Sequence, residues 1–125
     1  MSLREAAAEV AAVLHRVPEV SRVIVASRDG LPLFDEVQLE ARDHAAAATA
    51  TALGVAAVAS DTLALGASQG SILVGDESVA IVRPLDCGYS LTVVADAVVD
   101  VGDLHRRVRR LARDLDDAQA AFGAD

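Results

Sequence analysis

The sequence has 125 residues and 12.9 kDa, enough for one domain and too little for two independent cores. Apolar residues make up 53% but aromatics only 2%, so the interior is built from Ala, Val, Leu and Ile, and assembly is the natural remedy for thin stabilisation. A net charge of −8 argues against a nucleic-acid partner, and one cysteine, Cys87, excludes an internal disulfide and a cysteine-based zinc site.

Ser2-Leu3-Arg4-Glu5 spells a capping box, and Leu3, Ala7, Val10, Leu14 and Val17 recur at helical spacing up to Pro18. Arg4, Glu5 and Glu9 stand where a signal peptide needs its apolar core, so none is expected. Arg22 to Ser27 is β-branched and apolar on both faces, as in a central strand. Asp29-Gly30 then predicts a hairpin through a type I′ turn, and Pro32 puts the second strand, Leu31 to Asp35, at a sheet edge. Leu39 to Leu65 is Ala-rich and reads as helix. Its longest run free of charge, His44 to Ser60, is mostly Ala, Thr and Gly and too short to span a bilayer, so a cytoplasmic protein without a membrane span is expected. Three short strands follow, Ser71–Val74, Ser78–Arg83 and Tyr89–Ala95. Asp103 is the expected N-cap of a closing helix, with Leu104, Val108, Leu111, Leu115 and Phe122 on one face. The order α-β-β-α-β-β-β-α makes this a single α+β domain over 1–125, its core at about 3–115 and its last helix running to about 122.

The middle helix is the informative segment. Thr51, Val55, Val58 and Thr62 form its bulkier face, suited to a sheet. Ala45, Thr49, Ala52, Ala56, Ala59 and Leu63 make a heptad seam of small residues that admits a second helix closely. The third face carries Ala46, Ala50, Leu53 and Ala57, with Arg42 and Asp61 at its rim, an apolar centre with a charged edge. Burial by a second copy of the chain is therefore expected. Ile72-Leu73-Val74 has neither charge nor Pro, and as a sheet edge it calls for pairing with its twin across a two-fold axis.

Chemistry-bearing patterns are weak. Gly66-Ala-Ser-Gln-Gly70-Ser71 has the glycines of a phosphate loop, but the chain has no Lys, so a turn leading into a strand is expected. His15, His44 and His105 fall on separate helices without metal-ligand spacing. Cys87 lies in a turn with no evident base beside it. Asp96, Asp100 and Asp103 precede a helix, where negative charge is favoured by capping alone. Arg106, Arg107, Arg109, Arg110 and Arg113 form the one basic concentration, read as a solvated helix face offset by Asp114, Asp116 and Asp117, with contact to an acidic partner or anionic surface as the alternative. No cofactor, metal or catalytic residue is expected.

Taken together, "VPEVSRVIVASRDGLPL", the Ala-rich helix after it and "GSILVGDESVAIVRPLDCGYSLTVVAD" resemble the roadblock / dynein light-chain family, in particular its bacterial gliding-motility GTPase-regulator (MglB-like) branch, over about Ala7 to Leu115. The resemblance implies a roadblock/profilin-like fold, a five-stranded antiparallel sheet between the first and last helices on one face and the middle helix on the other. It also implies homodimers joined through the middle helices and the edge strands after them. Family members bind small Ras-like GTPases or serve as adaptor subunits. The expected function is thus a non-enzymatic homodimeric regulator that presents the Leu53 face to a small Ras-like GTPase, with Arg42 as an alternative arginine finger. The competing expectation is a scaffold subunit with no effect on nucleotide hydrolysis.

Overall fold

Helix α1 spans Leu3–Leu14, and both halves of the capping box form: the Glu5 amide donates to Ser2 Oγ at 3.1 Å and the Ser2 amide to Glu5 Oε1 at 3.2 Å. The computed structural model describes residues 2–122, so Met1, residues 123–125 and the expected core role of the Phe122 side chain lie outside the described set. Strands β1 (Val20–Ser27) and β2 (Pro32–Asp35) form the expected hairpin, but its turn is not type I′. Only Gly30 has positive φ there, at 89°. The Gly30 amide donates to Ser27 O at 3.0 Å and the Ser27 amide to Leu31 O at 2.8 Å, a type I turn closed by a glycine bulge. One extra loop residue spares Asp29 the left-handed conformation.

Helix α2 (Leu39–Thr62) ends in a Schellman motif: the Leu65 amide reaches Ser60 O at 2.8 Å and the Ala64 amide reaches Asp61 O at 3.2 Å. Ala64, at φ 57°, occupies the position usually held by glycine. Strands β3 (Ser71–Val74), β4 (Ser78–Pro84) and β5 (Tyr89–Asp96) complete an antiparallel sheet in the order β2-β1-β5-β4-β3. Pro32 therefore sits in one edge strand, and β3 is the other.

Alternation along the strands sends Val23, Val25, Ile81, Leu91 and Val93 to the main core with α1 and α3 (Val101–Phe122). Ile24 and Ala26 point the other way, toward Ala46 on α2. The expected fold class is the observed one, a sheet sandwiched between helices. The cap of α3 differs by one turn from the expectation: Asp100, not Asp103, is the cap, its Oδ1 accepting from the orphan Asp103 amide at 3.0 Å. Asp103 instead sits inside the helix and pairs with Arg107 at 2.8 Å.

Candidate functional site

Helix α2 meets the sheet through its smallest residues. Ala46, Thr49 and Ala56 are its buried positions, 0%, 6% and 8% exposed. The register aligns Ile24, Thr92 and Val82 across the sheet on the α2 side, so the bulk at this contact comes from the strands and the helix contributes little. The Thr49 hydroxyl is satisfied by Ala46 O at 2.9 Å. This corrects the expectation that Thr51, Val55, Val58 and Thr62 face the sheet. All four point outward, with Val55 64% and Val58 67% exposed.

The seam residues divide accordingly. Thr49 and Ala56 are covered by the chain's own sheet, Ala45, Ala52 and Ala59 are half-buried, and Leu63 is exposed. On the edge strand, Ile72, Leu73 and Val74 are all exposed, Val74 at 78%. Their register with Ile81, Ala80 and Val79 leaves the far side of β3 without a strand partner. Leu39, Val55, Val58, Leu63 and Leu65, from α2 and the turn after it, join them among the exposed large apolar side chains. Among the described residues, most such side chains thus lie on α2, its C-terminal turn and β3.

Of the expected partner face, the structure gathers Ala50, Leu53 and Ala57. With Gly54, Ser68 and Pro84 they line an open cleft of about 320 Å³ between α2 and the end of β4, with Arg28 at its mouth. Ala46 is buried beneath the helix and takes no part. Arg42 and Asp61 do not form one rim, because 19 residues of helix separate them by roughly 28 Å. Arg42 Nε is engaged by Val37 O at 2.7 Å, which ties this side chain to the chain leading into α2.

Several contacts had no signature in the sequence. Arg22 grips the buried Asp35 with two hydrogen bonds, Nε to Oδ1 at 2.9 Å and Nη2 to Oδ2 at 2.7 Å. The Asp35 hydrogen bond and charge hold the Arg22 guanidinium above its ordinary pKa. His15 Nε2 lies 2.8 Å from Glu36, which also accepts the Val23 amide at 2.7 Å, so this histidine braces α1 against the hairpin. Burial pushes the half-buried Cys87 thiol up, away from the thiolate a nucleophile needs. No group of three or more His, Cys, Asp and Glu converges among the described residues. Helix α2 has the length and apolar composition of a membrane span, with mean hydropathy 1.2, but its apolarity is mostly alanine and its Ala46–Ala56 stripe is committed to the sheet. What the site offers is apolar area and an open cleft, the makings of a contact surface.

The Roadblock/LC7 domain profile matches residues 6–95. No curated protein matches the sequence significantly. Among solved structures, a Roadblock/LC7 domain from Streptomyces avermitilis is 20% identical, with a TM-score of 0.79 over 92% of this chain and 95% of its own. The gliding protein MglB of Thermus thermophilus is 18% identical, with a TM-score of 0.78 over 94% and 91%. An MglB with tetrameric arrangement is 19% identical, with a TM-score of 0.79 over 94% and 90%.

Proposed function

Because the chain belongs to the Roadblock/LC7 domain family, we propose that it acts as a homodimeric, non-enzymatic regulator that binds a small Ras-like GTPase. The observations that carry the dimer are the uncovered Val55, Val58 and Leu63 of α2 and its C-terminal turn and the exposed, uncharged edge strand Ile72-Leu73-Val74. Covering each of these side chains fully is worth about 2 kcal/mol, and pairing β3 with its twin satisfies an open row of backbone groups. In this reading α2 joins the two copies through its outward face, while Ala45, Ala52 and Ala59 contribute only at the border and Thr49 and Ala56 hold the helix on the sheet. The sequence resemblance to the MglB-like GTPase-regulator branch supports the GTPase as partner class, and the likeness to MglB agrees with it in fold. The cleft of Ala50, Leu53 and Ala57 suits an apolar side chain from that partner. Contacts there act on hydrolysis by reshaping the GTPase switch loops.

The test is a binding assay with a small Ras-like GTPase encoded beside this chain, in GDP and GTP-analogue states, followed by single-turnover hydrolysis. State-dependent binding that is lost in Leu53→Asp and in the exposed-site variant Ala57→Glu supports the reading. Normal binding by both variants moves the contact elsewhere. Binding without any change in hydrolysis, or no GTPase binding, favours the scaffold role.

A further inference from the structure

A second cleft opens on the other side of Pro84. It has a volume of about 340 Å³ and lies between Gln69, Arg83 and Asp86 on one side and Arg113 and Asp116 of α3 on the other. Arg28, Ser68 and Pro84 line both this cleft and the apolar one beside α2, so the two adjoin. The α3 arginines divide here. Arg106 and Arg107 are paired with Asp103, whereas Arg113 lines the cleft and Arg109 adds its field to Arg83. No carboxylate lies within 4 Å of Arg28, Arg83, Arg109 or Arg113 among the described residues, although the sequence has 19 acidic side chains against 11 basic ones. Among the described residues, the Arg83 side chain donates to Gln69 Oε1, at 3.2 Å, and that of Arg28 to Leu85 O, at 2.7 Å. Burial, with Arg109 and Arg113 nearby, makes the charged form of Arg83 harder to hold, and the fields of Asp116 and Asp86 offset this only in part. A negative group set between Arg83 and Arg113 relieves the crowding of their charges.

We infer that this cleft binds an acidic, extended segment of a partner protein. Asp86 and Asp116 stand on its walls, so a compact dianion meets repulsion together with attraction. An extended segment avoids this, because it lays carboxylates on Arg83 and Arg113 and turns backbone N–H groups toward Asp86. The adjoining Leu53 cleft gives an apolar residue of the same segment a place to anchor. Local positive charge in a chain of net charge −8 also selects the register of approach, since the acidic segment is repelled by much of the remaining surface. This reading does not depend on a GTPase being the protein that supplies the segment.

The experiment is selection of a random displayed-peptide library on the full chain, with no GTPase present, so its outcome is separate from that of the hydrolysis test. Enriched peptides are then titrated by fluorescence anisotropy against wild type, Arg83→Gln/Arg113→Gln, the exposed single variant Arg113→Gln and the charge-keeping Arg83→Lys/Arg113→Lys. Thermal melting checks that each variant is folded. Enrichment of adjacent Asp and Glu residues is expected, with affinity about tenfold weaker in the double Gln variant and largely kept in the Lys variant. Absence of acidic enrichment, or equal binding by wild type and every Gln variant, overturns the inference. Phosphatidylglycerol vesicles or inorganic phosphate binding as tightly as the peptides, with the same arginine dependence, also overturns it, in favour of a small-anion or membrane site.

Discussion

Gly70 shows how far one backbone position can be fixed by its neighbours. Its φ is 107°, and a Cβ there would lie 1.9 Å from Val82 O, so both conformation and space demand glycine. Gly70→Ala is expected to cost at least about 2 kcal/mol, read as a lowered denaturant midpoint. Ala64 presents the opposite case, an L-residue held in a left-handed helix cap with nothing requiring its methyl group. Ala64→Gly should therefore stabilise by about 1 kcal/mol, and a fall in melting temperature would contradict the cap geometry. Removal of Arg22 leaves the Asp35 carboxylate buried and without its ion partner, so Arg22→Ala is expected to destabilise by about 3 kcal/mol in the same assay. Asp116 makes a prediction with a definite sign in pH. Burial, with Asp86 and Asp117 nearby, raises its pKa, so the folded chain holds this proton more tightly than the unfolded chain does. Its stabilising contribution is present below the ordinary carboxylate range and is lost as pH rises through the raised value. Asp116→Asn keeps an acceptor for the Asp86 amide, 2.8 Å away, and should gain stability over wild type at neutral pH but not at acid pH. Equal differences at both pH values would show that its charge is not the cause.

At the scale of elements, the sequence carried most of what was needed. The Ser2–Glu5 box, Pro32 and the β-branched run of β1 each name a local structure through a local cause, and all three elements stand where expected. Helix α2 was legible as a helix but not in its orientation. Small residues occupy every face, so spacing alone does not tell which stripe meets the sheet, and the bulk of Ile24 and Val82 decided in favour of Ala46 and Ala56. The two valines that looked like core are left outside. Cross-strand contacts such as Arg22–Asp35 were illegible for a different reason, because they depend on how β1 and β2 register. Half of the expected partner face, Ala50, Leu53 and Ala57, does converge on a cleft, while Arg42 and Asp61 are too far apart to share it. The outward stripe makes a prediction of its own. Val58→Glu should leave the folding stability of the separated chain within about 0.5 kcal/mol of wild type, since Val58 is 67% exposed and lies outside the core. Ala56→Glu buries an unpaired charge under the helix and should prevent folding.

The whole molecule is an asymmetric sandwich. One face of its sheet is covered by two helices and the other by a single helix that buries only small residues. The apolar area left over gathers on α2 and the β3 edge, and a two-fold partner placed there would cover it on both copies at once. Clefts on either side of Pro84 lie outside that surface, where the proposed contacts with other proteins would be made. Self-assembly through α2 and β3 is thus the central claim, and analytical ultracentrifugation of wild type beside Val58→Glu at high micromolar concentration tests it most directly. The account predicts a wild-type species at twice the 12.9 kDa chain mass, and a folded Val58→Glu chain shifted to the single-chain mass. A wild type that sediments as one chain, or a Val58→Glu variant that dimerises as well as wild type, would contradict it.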